Sequence, residues 1–242
     1  MKVFVSGAAG VIARQLIPIL TKNGHEVYAG DIKVKPSDFP VVAEYIQDDL
    51  NNLPLSYFEK KQIEVFLHLA ATFERTSESI DFWEDNFLNN IKLSHHLMNV
   101  VKNANSIKKV LFASSYLVYD ENQYLVSDTS NNISRLQESS LLNPRNLIGS
   151  AKLYHEKELE FIIKAVSPNY EIVIPRIFRG YGLGSRDVIS RWVRMCLLNQ
   201  PLDVFNECSS FDFIYSKDSA SGIYTLAFES KLVGPVNLGS GI

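Results

Sequence analysis

The first 31 residues constrain the fold more than any other stretch, because they spell a strand, a glycine turn, a helix and a second strand closed by a carboxylate. Lys2-Val3-Phe4-Val5-Ser6 is short, apolar and rich in β-branched and aromatic side chains, the composition of a strand buried on both faces in a parallel sheet. Gly7-Ala8-Ala9-Gly10-Val11-Ile12-Ala13 follows at once. Glycine at 7 and 10 lets the backbone come close to a ligand. The helix that opens there presents unpaired N–H groups and the positive end of its dipole, which together favour a phosphate. Ile12, Leu16, Ile19 and Leu20 recur at helical spacing, and Asn23-Gly24 supplies residues that tolerate a left-handed helix end. Pro18, inside this helix, predicts a kink in its outer turns. Residues 26–30 rebuild a strand, and Asp31 ends it about 20 residues past the glycines, where a carboxylate holds the ribose of a dinucleotide.

A glycine turn alone marks only a tight strand-to-helix connection. The strand before it, the helix after it and the placed acid together point to dinucleotide binding. Gly7, Ala9, Gly10, Val11 and Ile12 then surround the pyrophosphate, with Asp31 and Ile32 at the adenosine. Asp31 also selects the cofactor. Each charge of a 2′-phosphate held about 4 Å from it costs roughly 4 kcal/mol at an effective dielectric near 20. NAD is favoured over NADP, and Lys33 and Lys35 soften that preference without reversing it.

With 242 residues, 46% of them hydrophobic, the chain can bury a full core. A net charge of −3 leaves no basic footprint, so a nucleic-acid partner is not expected. The chain enters a strand without a charged, apolar leader, and no apolar run is long enough to cross a bilayer, so no membrane partner is expected either. Cys196 and Cys208 have no metal-ligand spacing and fit a reducing, cytoplasmic setting; no metal site is expected. His95 and His96 fall on different sides of a helix, which argues against a shared metal.

The remaining pattern alternates strands with helices. A polar link at 35–40 leads to a third strand at 42–46. Asp49 at its end can bond an adenine amino group or, with Asn51, cap a helix, and both readings stay open. Leu53, Leu55, Tyr57 and Phe58 suggest a short helix. A fourth strand at 65–71 ends in small residues that leave room for a flat cofactor. A long helix over 80–103 carries Trp83, Phe87, Ile91, Leu97 and Val101 near one face, which invites a helix from a second subunit. A fifth strand, 110–113, ends in Ser114-Ser115, whose hydroxyls face the ligand crevice by the switch-point rule. Residues 120–143 form a polar loop, and a helix over 148–166 carries Lys152, Glu156 and Glu160 on its polar side. A sixth strand, 171–175, runs into Arg176. Beyond it come a glycine loop at 180–184, a helix at 187–198, short strands at 202–205 and 211–215, a helix at 216–228 and a last strand at 236–239. The expected architecture is α/β: a Rossmann-type doubly wound parallel sheet over 1–175, with a small C-terminal substrate-binding part, 176–242, interleaved with it.

These residues together resemble the extended short-chain dehydrogenase/reductase family, the NAD-dependent epimerases and dehydratases of nucleotide sugars. The resemblance runs through the glycine motif, Asp31, Asp49-Leu50, His68-Leu69-Ala70-Ala71, Asn86, Ser114-Ser115-Tyr116-Leu117-Val118-Tyr119, Phe211 to Tyr215 with Asp218, and Asn237 to Gly241. It implies cofactor contacts at Asp49, Leu50, Leu69, Ala70, Ala71, Asn86, Ser114 and Lys152, and a homodimer built through the two long helices. It also implies that a final substrate-binding segment of the family is absent here. Family members use a serine, a tyrosine and a lysine four residues after the tyrosine. Ser115 and Lys152 match, but in Pro144-Arg-Asn-Leu-Ile148-Gly-Ser-Ala-Lys152 the phenol position is Ile148. Tyr116 is the candidate substitute. Tyr116-Leu117 replace the acidic pair that dehydratases carry, which disfavours elimination of water. Arg176 and Arg186, with Arg179 and Arg191 nearby, can meet a substrate diphosphate or form surface ion pairs. Two functions follow: an epimerase, reductase or dehydrogenase of a nucleotide sugar with atypical proton transfer, or an NAD-binding scaffold that kept the fold.

Overall fold

The computed structural model describes residues 1–73, 80–125, 135–202, 204 and 211–241. One parallel sheet organises them. Its strands are β1 (Lys2–Ser6), β2 (Glu26–Asp31), β3 (Glu44–Gln47), β4 (Val65–His68), β5 (Lys109–Phe112), the two-residue β6 (Ser114–Ser115), β7 (Glu171–Ile177) and, from the C-terminal part, β10 (Gly234–Leu238). They lie in the order β10-β7-β5-β4-β1-β2-β3, with β6 pairing on β7. The order reverses between β1 and β4, so the crevice at their carboxyl ends is where a dinucleotide lies in such sheets.

Period-two alternation sorts each strand between two cores. Val3, Val5, Val27, Ala29, Leu67, Leu111 and Val173 face α1 (Val11–Lys22) and α7 (Ser216–Tyr224). Phe4, Tyr28, Phe66, Val110, Phe112 and Ile172 face α2 (Leu55–Lys61), α4 (Leu93–Lys102) and α5 (Leu147–Val166). A fully buried side chain of this size contributes about 1.5–3 kcal/mol. A second, two-stranded parallel sheet pairs β8 (Arg179–Tyr181) with β9 (Phe213–Tyr215), and α6 (Val188–Leu197) buries none of its residues. No helix among the described residues is long and apolar enough to cross a membrane.

Several boundaries differ from the sequence reading. The expected helix over 80–103 is α3 (Asp81–Asn86), a π-helical turn (Phe87–Lys92) and α4 in succession, an inserted residue that apolar spacing does not reveal. The third strand sits at Glu44–Gln47, not at 42–46, because its register is set by pairing with Tyr28 through Asp31. β7 runs two residues past Pro175, carrying Arg176 and Ile177 into the sheet beside β6. α1 continues past Pro18, which points to solvent. Cys208 and two of the four residues of the expected strand at 202–205 lie outside the described residues.

Candidate functional site

Gly7 has φ +70°, a left-handed conformation. A Cβ there would stand 2.6 Å from both the amide nitrogen and the Cα of Ala70, so only glycine lets the first turn lie against the end of β4. Gly10 precedes α1 with no side-chain cap. The amides of Ala8, Ala9 and Gly10 are spent within the fold, on Gly30, Asp31 and Gly7. Those of Val11, Ile12 and Ala13 begin the helix and have no carbonyl one turn back, so they face the crevice as anion donors. Asp31 is buried at the end of β2, with Oδ2 accepting from Ala9 N–H (2.8 Å) and Oδ1 from Lys33 N–H (2.9 Å). A carboxylate has about four acceptor sites. Two remain for ribose hydroxyls, so these residues fit the adenosine half of NAD.

The floor of the crevice is the end of β4. His68 is wholly buried, with Nδ1 at 2.6 Å from Ser6 Oγ and Nε2 at 2.9 Å from Ser94 Oγ. Burial, then the charges of Lys152 and His155, hold its pKa well below the usual value, so it is neutral. Ala70 N–H donates to Ser6 Oγ at 3.4 Å. Asn86 is buried on α3 and its Oδ1 accepts from Asn90 (2.8 Å). Asn90, in the π-helical turn, is the residue that grips the crevice wall: its Oδ1 accepts from Thr72 N–H (2.9 Å) and its Nδ2 donates to Thr72 O (3.1 Å).

Ser115 ends β6, and its Oγ accepts Leu117 N–H at 3.3 Å, capping a 3₁₀ turn over Tyr116–Val118. α5 is seated against this turn through Gly149, where a Cβ would fall 2.3 Å from Leu117 O. Asn146 caps the helix by accepting Gly149 N–H at 2.8 Å. Ile148 and Lys152 follow one row of α5, both buried. Lys152 is only 4% exposed, with Nζ 4.8 Å from the centre of the Phe112 ring. No hydrogen bond holds it among the described residues. Burial lowers its pKa to about 8, against the opposing pull of Glu156. Tyr116 belongs to a separate cluster with Val118, Tyr119, Tyr124 and Phe178, its ring stacked on Phe178 at 5.7 Å, and no hydrogen bond joins it to Lys152.

The lowered pKa has a sign. An unfolded lysine titrates at 10.5 and the folded one at about 8. Between those values the unfolded chain binds more protons, so stability rises with pH across this window, and below it the full penalty of about 3 kcal/mol stands. Lys152→Met is therefore expected to melt about 6–12 °C higher than the parent at pH 7, with the gap closing toward pH 10. Paired thermal melts at the two pH values check this, and a variant no more stable at pH 7 contradicts it.

Several residues expected at the cofactor or substrate make contacts within the protein. Arg176, expected at the substrate, is 2% exposed inside β7. Its guanidinium is consumed by Glu156 (2.6 Å from Nη2), Tyr119 Oη (2.9 Å) and Glu138 O (2.9 Å). Ser114 Oγ also turns to Glu156, at 2.5 Å, and so joins this buried network instead of opening to the crevice. Asp49 caps a 3₁₀ turn by accepting Asn51 N–H at 2.9 Å, while Leu50 packs in the core. Arg186 stays exposed on the loop before α6. Leu69, Ala70 and Ala71 line the end of β4, half-buried, and Ile32 projects beyond Asp31. The sequence reading missed Asn90 and took Glu156 for a solvated residue. The Asn86–Asn90 spacing, one helical turn, was the signal available for the former.

The profile of the NAD dependent epimerase/dehydratase family matches residues 3–239. A dTDP-4-dehydro-6-deoxyglucose reductase of Escherichia coli is 28% identical over 238 residues, covering 89% of this chain and 69% of the relative. A UDP-glucose 4-epimerase of Lactobacillus helveticus is 28% identical over 179 residues, 70% of this chain and 49% of the relative. A UDP-glucuronic acid 4-epimerase of Bacillus cereus, solved with UDP-glucuronic acid and NAD, superposes with a TM-score of 0.80 at 27% identity, over 99% of this chain and 77% of its own.

Proposed function

Because this chain belongs to the NAD-dependent epimerase/dehydratase family, we propose that it is an NAD-dependent oxidoreductase of the epimerase or reductase type, acting on a nucleotide-activated sugar. The observation that carries the reading is the first crevice: Gly7 pressed on Ala70, three free amides opening α1, and Asp31 with acceptor sites to spare. When bound, nicotinamide supplies or takes a hydride at a sugar carbon. Asp31 orients the adenosine ribose and repels a 2′-phosphate. Ser115 bonds the reacting sugar oxygen, and Lys152, fixed by burial beside Phe112, meets the nicotinamide ribose. Ile148 carries no proton, so proton transfer falls to Tyr116, to Lys152 or to water. Residues 176–242 make up the substrate-binding part, with Arg186 available to a diphosphate.

Calorimetry tests the cofactor step. NAD or NADH is expected to bind below millimolar concentration, NADP at least 100-fold more weakly, and Asp31→Ala is expected to erase most of that difference. No binding of either dinucleotide at millimolar concentration ends the proposal. A positioned phenol is worth about 10²–10⁴ in rate. Ile148→Tyr is accordingly expected to raise turnover of the co-purifying or best nucleotide sugar by at least tenfold. Ile148 also supports a second reading, an NAD-binding scaffold. That reading requires that Ser115→Ala with Lys152→Ala leave function in the cell intact.

The proposal includes a homodimer. Ile80, Trp83 and Phe87 on one helical stretch, and Tyr154 and Phe161 on α5, are exposed apolar side chains on the two helices expected to pair. Light scattering at micromolar concentration should give twice the monomer mass.

A further inference from the structure

We infer that Arg179 is a specificity-determining residue that binds an oxyanion of the substrate beside Ser115. This rests on the nucleotide-sugar reading above and deepens it. Arg179 lies two residues past Ile177, which pairs with Ser115 across β6 and β7. Its guanidinium carbon is 3.5 Å from the centre of the Phe211 ring, 5.8 Å from that of Tyr116 and 6.0 Å from that of Phe213. Its Nε is buried and without a hydrogen-bond partner among the described residues. No carboxylate pairs with it among the described residues. The neighbouring Asp212 directs both oxygens to Ser240 and Gly241.

The contrast with Arg176 is chemical. Arg176 has every donor group answered by the protein, whereas Arg179, three residues on, lies over Phe211 and has no side-chain hydrogen bond among the described residues. A guanidinium held over an aromatic ring is pre-oriented to offer two parallel N–H bonds to a planar or tetrahedral oxyanion. Two groups of a nucleotide sugar have this chemistry: a carboxylate on the sugar ring and the diphosphate.

Titration calorimetry in the presence of NAD, with UDP, UDP-glucose, UDP-glucuronate and their thymidine counterparts as probes, tests the inference and separates the two sources. Arg179→Gln is expected to weaken binding about 10- to 100-fold with NAD affinity and melting temperature unchanged. Arg179→Lys, which keeps the charge without the fork, is expected to fall between. A loss confined to UDP-glucuronate assigns the carboxylate; an equal loss for all probes of one nucleoside assigns the diphosphate. Unchanged affinities in Arg179→Gln overturn the inference while leaving the nucleotide-sugar reading intact. A parent protein that binds NAD and none of the probes overturns that reading and this inference with it. If Arg179 only staples Phe211, Arg179→Gln lowers the melting temperature and leaves the affinities alone, which also overturns it.

Discussion

Gly7→Val is expected to abolish dinucleotide binding and to lower the melting temperature by about 10 °C. The residue sits at φ +70°, where a β-branched side chain is strained by about 1–2 kcal/mol. Its Cβ would also lie 2.6 Å from two backbone atoms of Ala70. Neither side yields cheaply, since Ser6 and His68, which lead into the two loops, are held opposite each other in the β1–β4 ladder. Forced separation adds roughly 1–3 kcal/mol as overpacking does, for a total of about 2–5 kcal/mol. The same displacement swings the first amides of α1 off the pyrophosphate. Thermal melting with calorimetric titration of NADH checks both halves, and a variant that binds within threefold of the parent refutes the placement of the cofactor.

The buried Glu156–Arg176 pair is expected to give an effect of similar size without touching the cofactor. Glu156→Ala strands the Arg176 guanidinium inside β7 and removes the acceptor of Ser114. Breaking one side of such a pair costs about 3–5 kcal/mol, whereas replacing both by apolar residues of similar volume is often neutral. Urea denaturation should therefore show a large loss for Glu156→Ala and recovery of most of it in Glu156→Leu combined with Arg176→Met. A double variant as weak as the single one would show that the pair contributes through more than its charges.

What could be read from the chain and what could not divide along physical lines. Local signals were legible: the glycine turn, the alternation of β1 and β2, and the spacing from Pro144 to Lys152 that exposes the missing phenol. Contacts between residues distant in sequence were not. Glu156 reads as a polar helix residue, and only the fold shows that Arg176 and Ser114 reach it from a strand end. The π-helical turn was hidden because one extra residue barely disturbs the apolar spacing of 80–103, and within it Asn90 joins Thr72 to Asn86. Asp49 carries two chemically equal readings, and its Oδ1 bonds to Asn51 leave the second carboxylate oxygen available to an adenine amino group.

The seating of α5 on the turn after Ser115 makes that helix a gauge. Gly149 is its zero mark, touching Leu117 O where no side chain would fit. With a rise of ~1.5 Å per residue, Lys152 and Glu156 stand ~4.5 and ~10 Å further along the axis. One contact thus fixes the depth of the ammonium group and that of the buried ion pair together. Thickening that mark by a single methyl would displace both at once.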